Sequence, residues 1–312
     1  MEPRILIISP VRNEAAHIER VVRAMAVQEL LPESWIVIDD HSTDATLKIL
    51  RALEPGLGFL RIAEHAPDPT AVRDRLAQAA EVRNFYAGLA LAPHELSHYT
   101  HVMKLDGDIE LPPQYLRVMM ERFAGDGRIG LAGGVLQEPA PDGSMRPIRI
   151  PSNYVHGALK LYSGDCFAAI GGIQERLGWD TIDLTSARMH GFRTASFPEL
   201  VSVHLRPLAS ADGVLRGRAR HGECAWVTHA PPEWVLLRAL KIATWHPRLA
   251  SGAWYLYGYV RAAARRTERV PDPAFRAFSR RELRGRLRGA VIGRVRARRR
   301  ANASPQIVAG PS

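Results

Sequence analysis

Apolar residues in this chain come in short runs separated by amphipathic stretches. Residues 4–8 (RILII) have the length and composition of a buried strand, and Ser9-Pro10 is expected to stop it. From Glu14 to Gln28 the apolar positions Ile18, Val21, Val22 and Met25 take helical spacing. The alternation repeats, with a strand over 35–38, a loop Asp39-Asp40-His41-Ser42, and Ser42 placed to cap a helix carrying Ala45, Leu47, Ile49 and Leu50. A third strand over 58–63, a helix-rich segment over 71–91 and a strand over 99–105 follow. Strands alternating with helices predict an α/β fold whose sheet is parallel and doubly wound, and such sheets bind ligands outside the carboxyl ends of their strands. Between residues 128 and 205 the strands shorten and turns such as Gly133-Gly134 and Gly171-Gly172 appear, ending in a strand over 194–204. This is the mixed half expected to receive an acceptor. Past Asp212-Gly213 the pattern is mainly helical, so the expected division is 1–210 for the α/β domain and 211–312 for a helical extension.

Three polar clusters fall at the expected ligand edge. Pro10-Val11-Arg12-Asn13-Glu14 follows the first strand, Asp39-Asp40 the second, and Asp106-Gly107-Asp108, within KLDGD, the fourth. Any one of them is compatible with an ordinary turn, because Asp, Asn, Ser and Pro dominate turns. Alternate side chains of an extended segment share a face, so Asp106 and Asp108 are expected to converge on one divalent cation. Hard oxygen ligands suit Mg²⁺ or Mn²⁺, ions that keep water and bind substrate phosphates. A calcium loop is excluded, since counting from Asp106 puts Leu111 where glycine is needed and Arg117 where a bidentate glutamate is needed.

The 312 residues are 46% hydrophobic and 24% charged, enough for a sizeable core. Two cysteines, Cys166 and Cys224, offer neither a disulfide framework nor zinc spacing, which fits a reducing compartment. The amino terminus runs into a strand pattern without the basic and apolar regions of a secretory signal, so a cytoplasmic location is expected. The net charge of +10 is uneven: residues 261–300 hold fifteen arginines against Glu268, Asp272 and Glu282, which leaves the remainder slightly acidic. A near-neutral body with a basic tail predicts an anionic partner for the tail.

These motifs resemble those of the family 2 glycosyltransferases, which have the GT-A nucleotide-sugar-binding fold. ISPVRNEAAHIERVV is similar to the family's Pro-x-x-Asn-Glu opening, WIVIDDHSTDAT to its Val-Asp-Asp-Gly-Ser segment, and KLDGD to its Asp-x-Asp motif. The resemblance covers about residues 4–205. It implies an inverting transfer of a sugar, of hexosyl type, from a nucleotide-diphosphate donor to a hydroxyl on a saccharide, lipid-linked or small-molecule acceptor, in polysaccharide or glycolipid synthesis. By the same resemblance Pro10, Arg12, Asn13, Glu14, Asp39 and Asp40 would hold the base and ribose, and Asp106 and Asp108 the metal and diphosphate. Arg83-Asn84 would match the Ala-Arg-Asn step near the diphosphate, with Val82 in place of alanine. The family's catalytic Glu-Asp pair is absent. The corresponding stretch is GWDTIDL, so the base role falls to Asp180, with Asp183 in reserve; a helix start at Asp180 is the purely structural alternative. His204, in SVHLRP, resembles the histidine that completes metal coordination in some members, and is equally a polar strand end.

The extension interleaves Trp234, Trp245, Trp254, Tyr255, Tyr257 and Tyr259 with Arg238, Lys241 and Arg248. No stretch approaches the roughly 18 uncharged apolar residues needed to span a bilayer. Aromatic and basic residues together suit an anionic membrane surface, here the inner face, or else a packing extension with a solvated tail. Nucleic acid is a poorer partner, since no base-reading motif accompanies the arginines. Two other functions compete: a sugar nucleotidyltransferase, whose glycine-rich loop is missing from SPVRNE, and a non-catalytic basic binding module on the same scaffold.

Overall fold

The computed structural model describes residues 2–65, 80–140, 142–206 and 213–303, with side chains in the last helix described as far as residue 289. The chain falls into two compact units, Met1–Ala211 and Asp212–Ser312.

The first unit is built on a nine-stranded mixed sheet. The elements run β1 (Ile5–Val11), α1 (Ile18–Ala26), β2 (Ser34–Asp39), α2 (Thr46–Leu53), β3 (Leu60–Glu64), α3 (Ala80–Leu89), β4 (His101–Leu105), β5 (Ile109–Glu110) and α4 (Tyr115–Gly125). They continue with β6 (Ile129–Pro139), β7 (Met145–Pro147), β8 (Leu159–Ser163), α5 (Gly164–Ala169), α6 (Trp179–Met189) and β9 (Arg193–His204). The sheet order is β3-β2-β1-β4-β8-β6-β9-β5, with β7 paired to β6. Strands β1 to β4 form the expected parallel half. Antiparallel β8 begins the mixed half, so the sheet is not parallel throughout.

Period-two alternation explains why this sheet is covered on both faces. Ile5 and Ile7 pack with Val21, Leu50 and Leu116 on one face, whereas Leu6 and Ile8 pack with Val82, Phe85, Tyr162 and Phe167 on the other. Each such side chain contributes about 1.5–3 kcal/mol through burial.

Several boundaries differ from the sequence expectation. Strand β1 does not stop at Ser9-Pro10 but runs on to Val11, paired to Asp39. Its pairing with β4 ends at Ile8, so Pro10 lies where β1 has a neighbour on one side only and a missing N–H is tolerated. Helix α1 begins at Ile18, not Glu14. Ser42 does not cap α2: Ala45 precedes its first residue, and the Thr46 N–H donates to Asp44 Oδ1 at 2.9 Å. Of the expected 71–91 segment, residues 80–89 are helical, and 71–79 lie outside the described residues.

The second unit contains α7 (Val214–Val227), α8 (Pro232–Ile242), α9 (Ala250–Ala264) and α10 (Pro273–Ala303). Helices α7 and α9 cross closely because Gly222 faces the Tyr255 carbonyl and Gly258 the Ala219 carbonyl, positions where any Cβ would collide. Val235, Ala239, Ile242 and Tyr255 form its core. Ser279 Oγ of α10 donates to the Thr228 carbonyl at 2.8 Å. Among the described residues, no helix is long and apolar enough to cross a membrane.

Candidate active site

The carboxyl ends of β1 and β2 present two loops that are sewn together. The Asn13 N–H donates to Ser42 Oγ at 2.9 Å, the Thr43 N–H to Asn13 Oδ1 at 2.8 Å, and the Ala15 N–H to Asp44 Oδ2 at 3.1 Å. Asn13 and His41 both have positive φ (55° each), a conformation that asparagine tolerates and that glycine favours. Arg12 Nη1 donates to the Asp40 carbonyl at 3.1 Å. Thus Asn13 shapes the loop with its own amide, and Pro10 lies within β1.

Asp39 ends β2 almost fully buried. Its Oδ2 accepts the Ser42 N–H at 3.0 Å, while Oδ1 is buried with no hydrogen-bond partner among the described residues. A buried acceptor left unsatisfied costs about 1–3 kcal/mol, a cost that a donor group on a ligand would remove. Asp40, His41 and His65, the last just beyond β3, bring ligand atoms within 4.8 Å of one another at this same edge.

Gly107 is required where it stands, because a Cβ there would meet Val11 Cγ1 at 2.5 Å. The turn thereby tucks under the end of β1, and its two carboxylates have different cationic partners. Asp106 Oδ1 accepts from Lys104 Nζ at 2.5 Å, and Lys104, itself buried, also reaches Glu81 Oε2 at 3.2 Å. Asp108 Oδ2 lies 3.3 Å from His204 Nε2 and 3.8 Å from Arg206 Nε. Asp106 and Asp108 do not lie in the expected extended strand but in a turn between β4 and β5, Asp106 held by Lys104 and Asp108 by His204 and Arg206. Among the described residues, neither three-ligand cluster includes Asp106, Asp108 or His204.

Electrostatics follow these partners. Burial alone would depress the Lys104 ammonium, but Asp106 and Glu81 outweigh it and hold the group above its ordinary range. Burial pushes Asp106 up, against the pull of Lys104. Burial would also raise Asp108, yet His204 and Arg206 hold it below the usual carboxylate range. Glu14, whose Oε1 pairs with Arg206 and whose Oε2 has no partner among the described residues, is raised to about 7 by burial and by the Asp108 charge.

Helix α6 brings up the other half. Gly178, at φ 84°, precedes it, so neither Asp180 nor Asp183 is its N-cap. Asp183 is wholly buried, its carboxylate accepting from Lys160 Nζ at 2.6 and 2.8 Å and from the Tyr162 hydroxyl. Asp180 is half-buried, its carbonyl accepts from Lys160 Nζ at 2.6 Å, and its Oδ2 accepts from the Tyr154 hydroxyl at 3.4 Å. His156 is pushed down to about 4 by burial, then by His204 and Lys160, and is pulled up by Asp180. It stands within electrostatic reach of both halves of the site.

Trp179 joins those halves. Lys104 Nζ lies 4.9 Å and Lys160 Nζ 5.0 Å from its ring, and its Nε1 donates to Glu81 Oε1 at 2.7 Å. Sequence reasoning missed Lys104, Lys160, Glu81, Trp179 and Arg206. The lysines carried one signal, a charged residue inside each of two strand patterns, HVMKL and LKLYS. Arg83, on α3, ion-pairs with Glu175 at 2.9 Å.

A family model described as "Glycosyl transferase family 2" matches residues 6–172. No curated protein matches the chain by sequence. Among solved structures, the mannosyltransferase PcManGT from Pyrobaculum calidifontis, in complex with GDP-Man and Mn²⁺, aligns with TM-score 0.52 and 18% identity over 94% of this chain and 87% of that one. S. aureus TarS 1–349 in complex with UDP aligns with TM-score 0.52 and 13% identity over 83% and 71% of the two chains. Its complex with UDP-GlcNAc gives 0.51 and 14% over 84% and 73%. At these identities the likeness concerns the fold, which is the GT-A arrangement followed by carboxyl-terminal helices.

Proposed function

The chain belongs to glycosyl transferase family 2, and on that premise we propose that it moves a hexosyl group from a nucleotide diphosphate to an acceptor hydroxyl with inversion at the anomeric carbon. The observation that carries this reading is the Asp108–His204 pair at the ligand edge. Its Oδ2 and Nε2 lie 3.3 Å apart, close to the roughly 3 Å separating neighbouring ligands of an octahedral ion bound at about 2.1 Å. A carboxylate with an imidazole suits Mn²⁺ better than Mg²⁺. When bound there, the ion would offset charge on the departing diphosphate.

The chain's own groups supply the rest. Asp39 Oδ1, without a partner among the described residues, accepts an N–H from the nucleobase, and Asp106, aimed by Lys104, accepts from the ribose side of the donor. Arg206, 40% exposed beside Asp108, meets the diphosphate. Asp180 is the base: the acceptor oxygen bonds to the anomeric carbon, the bond to the diphosphate breaks, and the hydroxyl proton passes to the Asp180 carboxylate. Asp183 does not compete for this role, because its oxygens are committed to Lys160 and Tyr162 out of reach of solvent.

Isothermal titration of UDP and GDP, with and without Mn²⁺, against wild type and Asp108→Ala tests the donor site. One nucleotide is expected to bind in a metal-dependent way, about tenfold or more weaker in the variant. Failure of both nucleotides to bind under either condition overturns the reading.

A further inference from the structure

Helices α8 and α9 are apolar on two sides, and only one side of each is covered. On α8 the buried positions are Val235, Ala239 and Ile242, while Leu236, Leu237 and Leu240 are each half or more exposed. On α9 the buried positions include Gly252, Tyr255, Gly258 and Ala262, while Trp254, Tyr257 and Val260 stand out to solvent. At about 100° per residue each exposed trio occupies an arc of roughly 100–120°, the width of a helix face that packs against something. Trp245 and Leu249 extend from the connection between the helices, Leu249 being 77% exposed. The two helices are close neighbours, since a Cβ on Gly252 would meet the Ala239 carbonyl at 2.6 Å. Elsewhere in the described chain, exposed large apolar side chains are scattered singly or in pairs. Scattered ones need no explanation, but a concentration does.

Charge selects the occupant. Residues 232–264 carry Arg238, Lys241, Arg248 and Arg261 against one carboxylate, Glu233, which is already paired with Arg284 at 2.7 Å. The Arg218 guanidinium sits 5.0 Å from the Trp245 ring and that of Arg261 5.5 Å from the Tyr257 ring, so cations flank the apolar face. Residues 262–300 add a further net +11. A second copy of this unit would bring like charge against like charge, whereas an anionic bilayer offers acyl chains for Leu and Val, an interface for Trp and Tyr, and phosphates for Arg. We propose that the second unit docks on an anionic lipid bilayer through the exposed face of α8 and α9, lying in the interface without spanning it. The consequence for the site above, that its acceptor hydroxyl is carried at a membrane surface, rests on the transfer reading; the docking itself does not.

Flotation of the full chain with phosphatidylcholine vesicles, with and without phosphatidylglycerol, tests this independently of nucleotide binding. Wild type is expected to float with the anionic vesicles, less at high salt, with a blue shift of tryptophan emission. Leu237→Gln/Leu240→Gln, which alters exposed side chains only and leaves the net charge unchanged, is expected to weaken vesicle affinity about tenfold or more with thermal unfolding unchanged. Absence of wild-type binding overturns the proposal. Equal binding by the variant also overturns it, because charge alone would then suffice. A wild-type dimer that this variant dissociates, with no vesicle binding, assigns the face to a second copy instead.

Discussion

Replacing Lys160 with methionine removes one member of a buried ion pair while keeping most of its volume. Lys160 Nζ holds both oxygens of Asp183, at 2.6 and 2.8 Å, and the Asp180 carbonyl at 2.6 Å; its side chain has no exposure and that of Asp183 1%. Burial pushes Asp183 up and Lys160 down, each opposed by the other's charge. Removing one partner strands the other charge, which costs about 3–5 kcal/mol, against a typical total of about 5–15 kcal/mol. Without the ammonium, Asp183 titrates higher still in the folded state than its ordinary value. The variant then gains relative stability as pH falls through that raised value, so the loss at pH 7 shrinks toward pH 5. Urea unfolding at both pH values measures this, and Lys160→Met/Asp183→Leu supplies the control. With both charges gone, about 2 kcal/mol or more of the loss should return, less about 1 kcal/mol for the Tyr162 hydroxyl left without its acceptor. A loss below about 1 kcal/mol in the single variant, or a double variant no more stable than the single, refutes the reasoning.

Asp180→Asn is expected to slow sugar transfer about 10²- to 10⁴-fold with nucleotide affinity unchanged in titration; an unaltered rate removes Asp180 from the chemistry. His101, wedged against the Phe123 ring at 4.7 Å, is pushed down to about 4 by burial. Its neutral form is favoured by folding, so its contribution is full above the unfolded value near 6.5 and declines below it, by about 3 kcal/mol at pH 4. Urea midpoints between pH 7 and pH 4 should flatten measurably in His101→Phe. Gly107→Ala forces Val11 aside and is expected to cost about 1–3 kcal/mol, with Val11→Ala restoring most of it in thermal unfolding.

The parallel half of the sheet was legible because its strands are continuous apolar runs bounded by turn residues, a pattern that β1, β2 and β4 obey. Pro10 misled because a proline reads as a stop only if the strand has neighbours on both sides there, and pairing partners are not local information. Ser42 misled for a related reason. Its hydroxyl answers a backbone N–H 29 residues away, on Asn13, and Asp44 supplies the acceptor at the start of α2. Asp39, Asp106 and Asp108 could be picked out by type and by their place after strands, and Asp180 through the family resemblance. Their partners could not, since Glu81 lies 23 residues from Lys104 and 98 from Trp179.

That hidden layer also explains how the two halves of the site are kept in order around Trp179. The Trp179 indole lies against two ammonium groups at once, and buried cations over an aromatic face gain about 2 kcal/mol or more where water is excluded. Here one of those ammoniums aims Asp106 and the other pins the Asp180 backbone, while the indole N–H holds Glu81 against the first. The tryptophan thus makes the orientation of Asp106 and that of Asp180 depend on a single rigid ring. A glutamate there would put a third charge between two lysines already matched by Asp106, Glu81 and Asp183. Changing Trp179 is accordingly a change to both halves of the site.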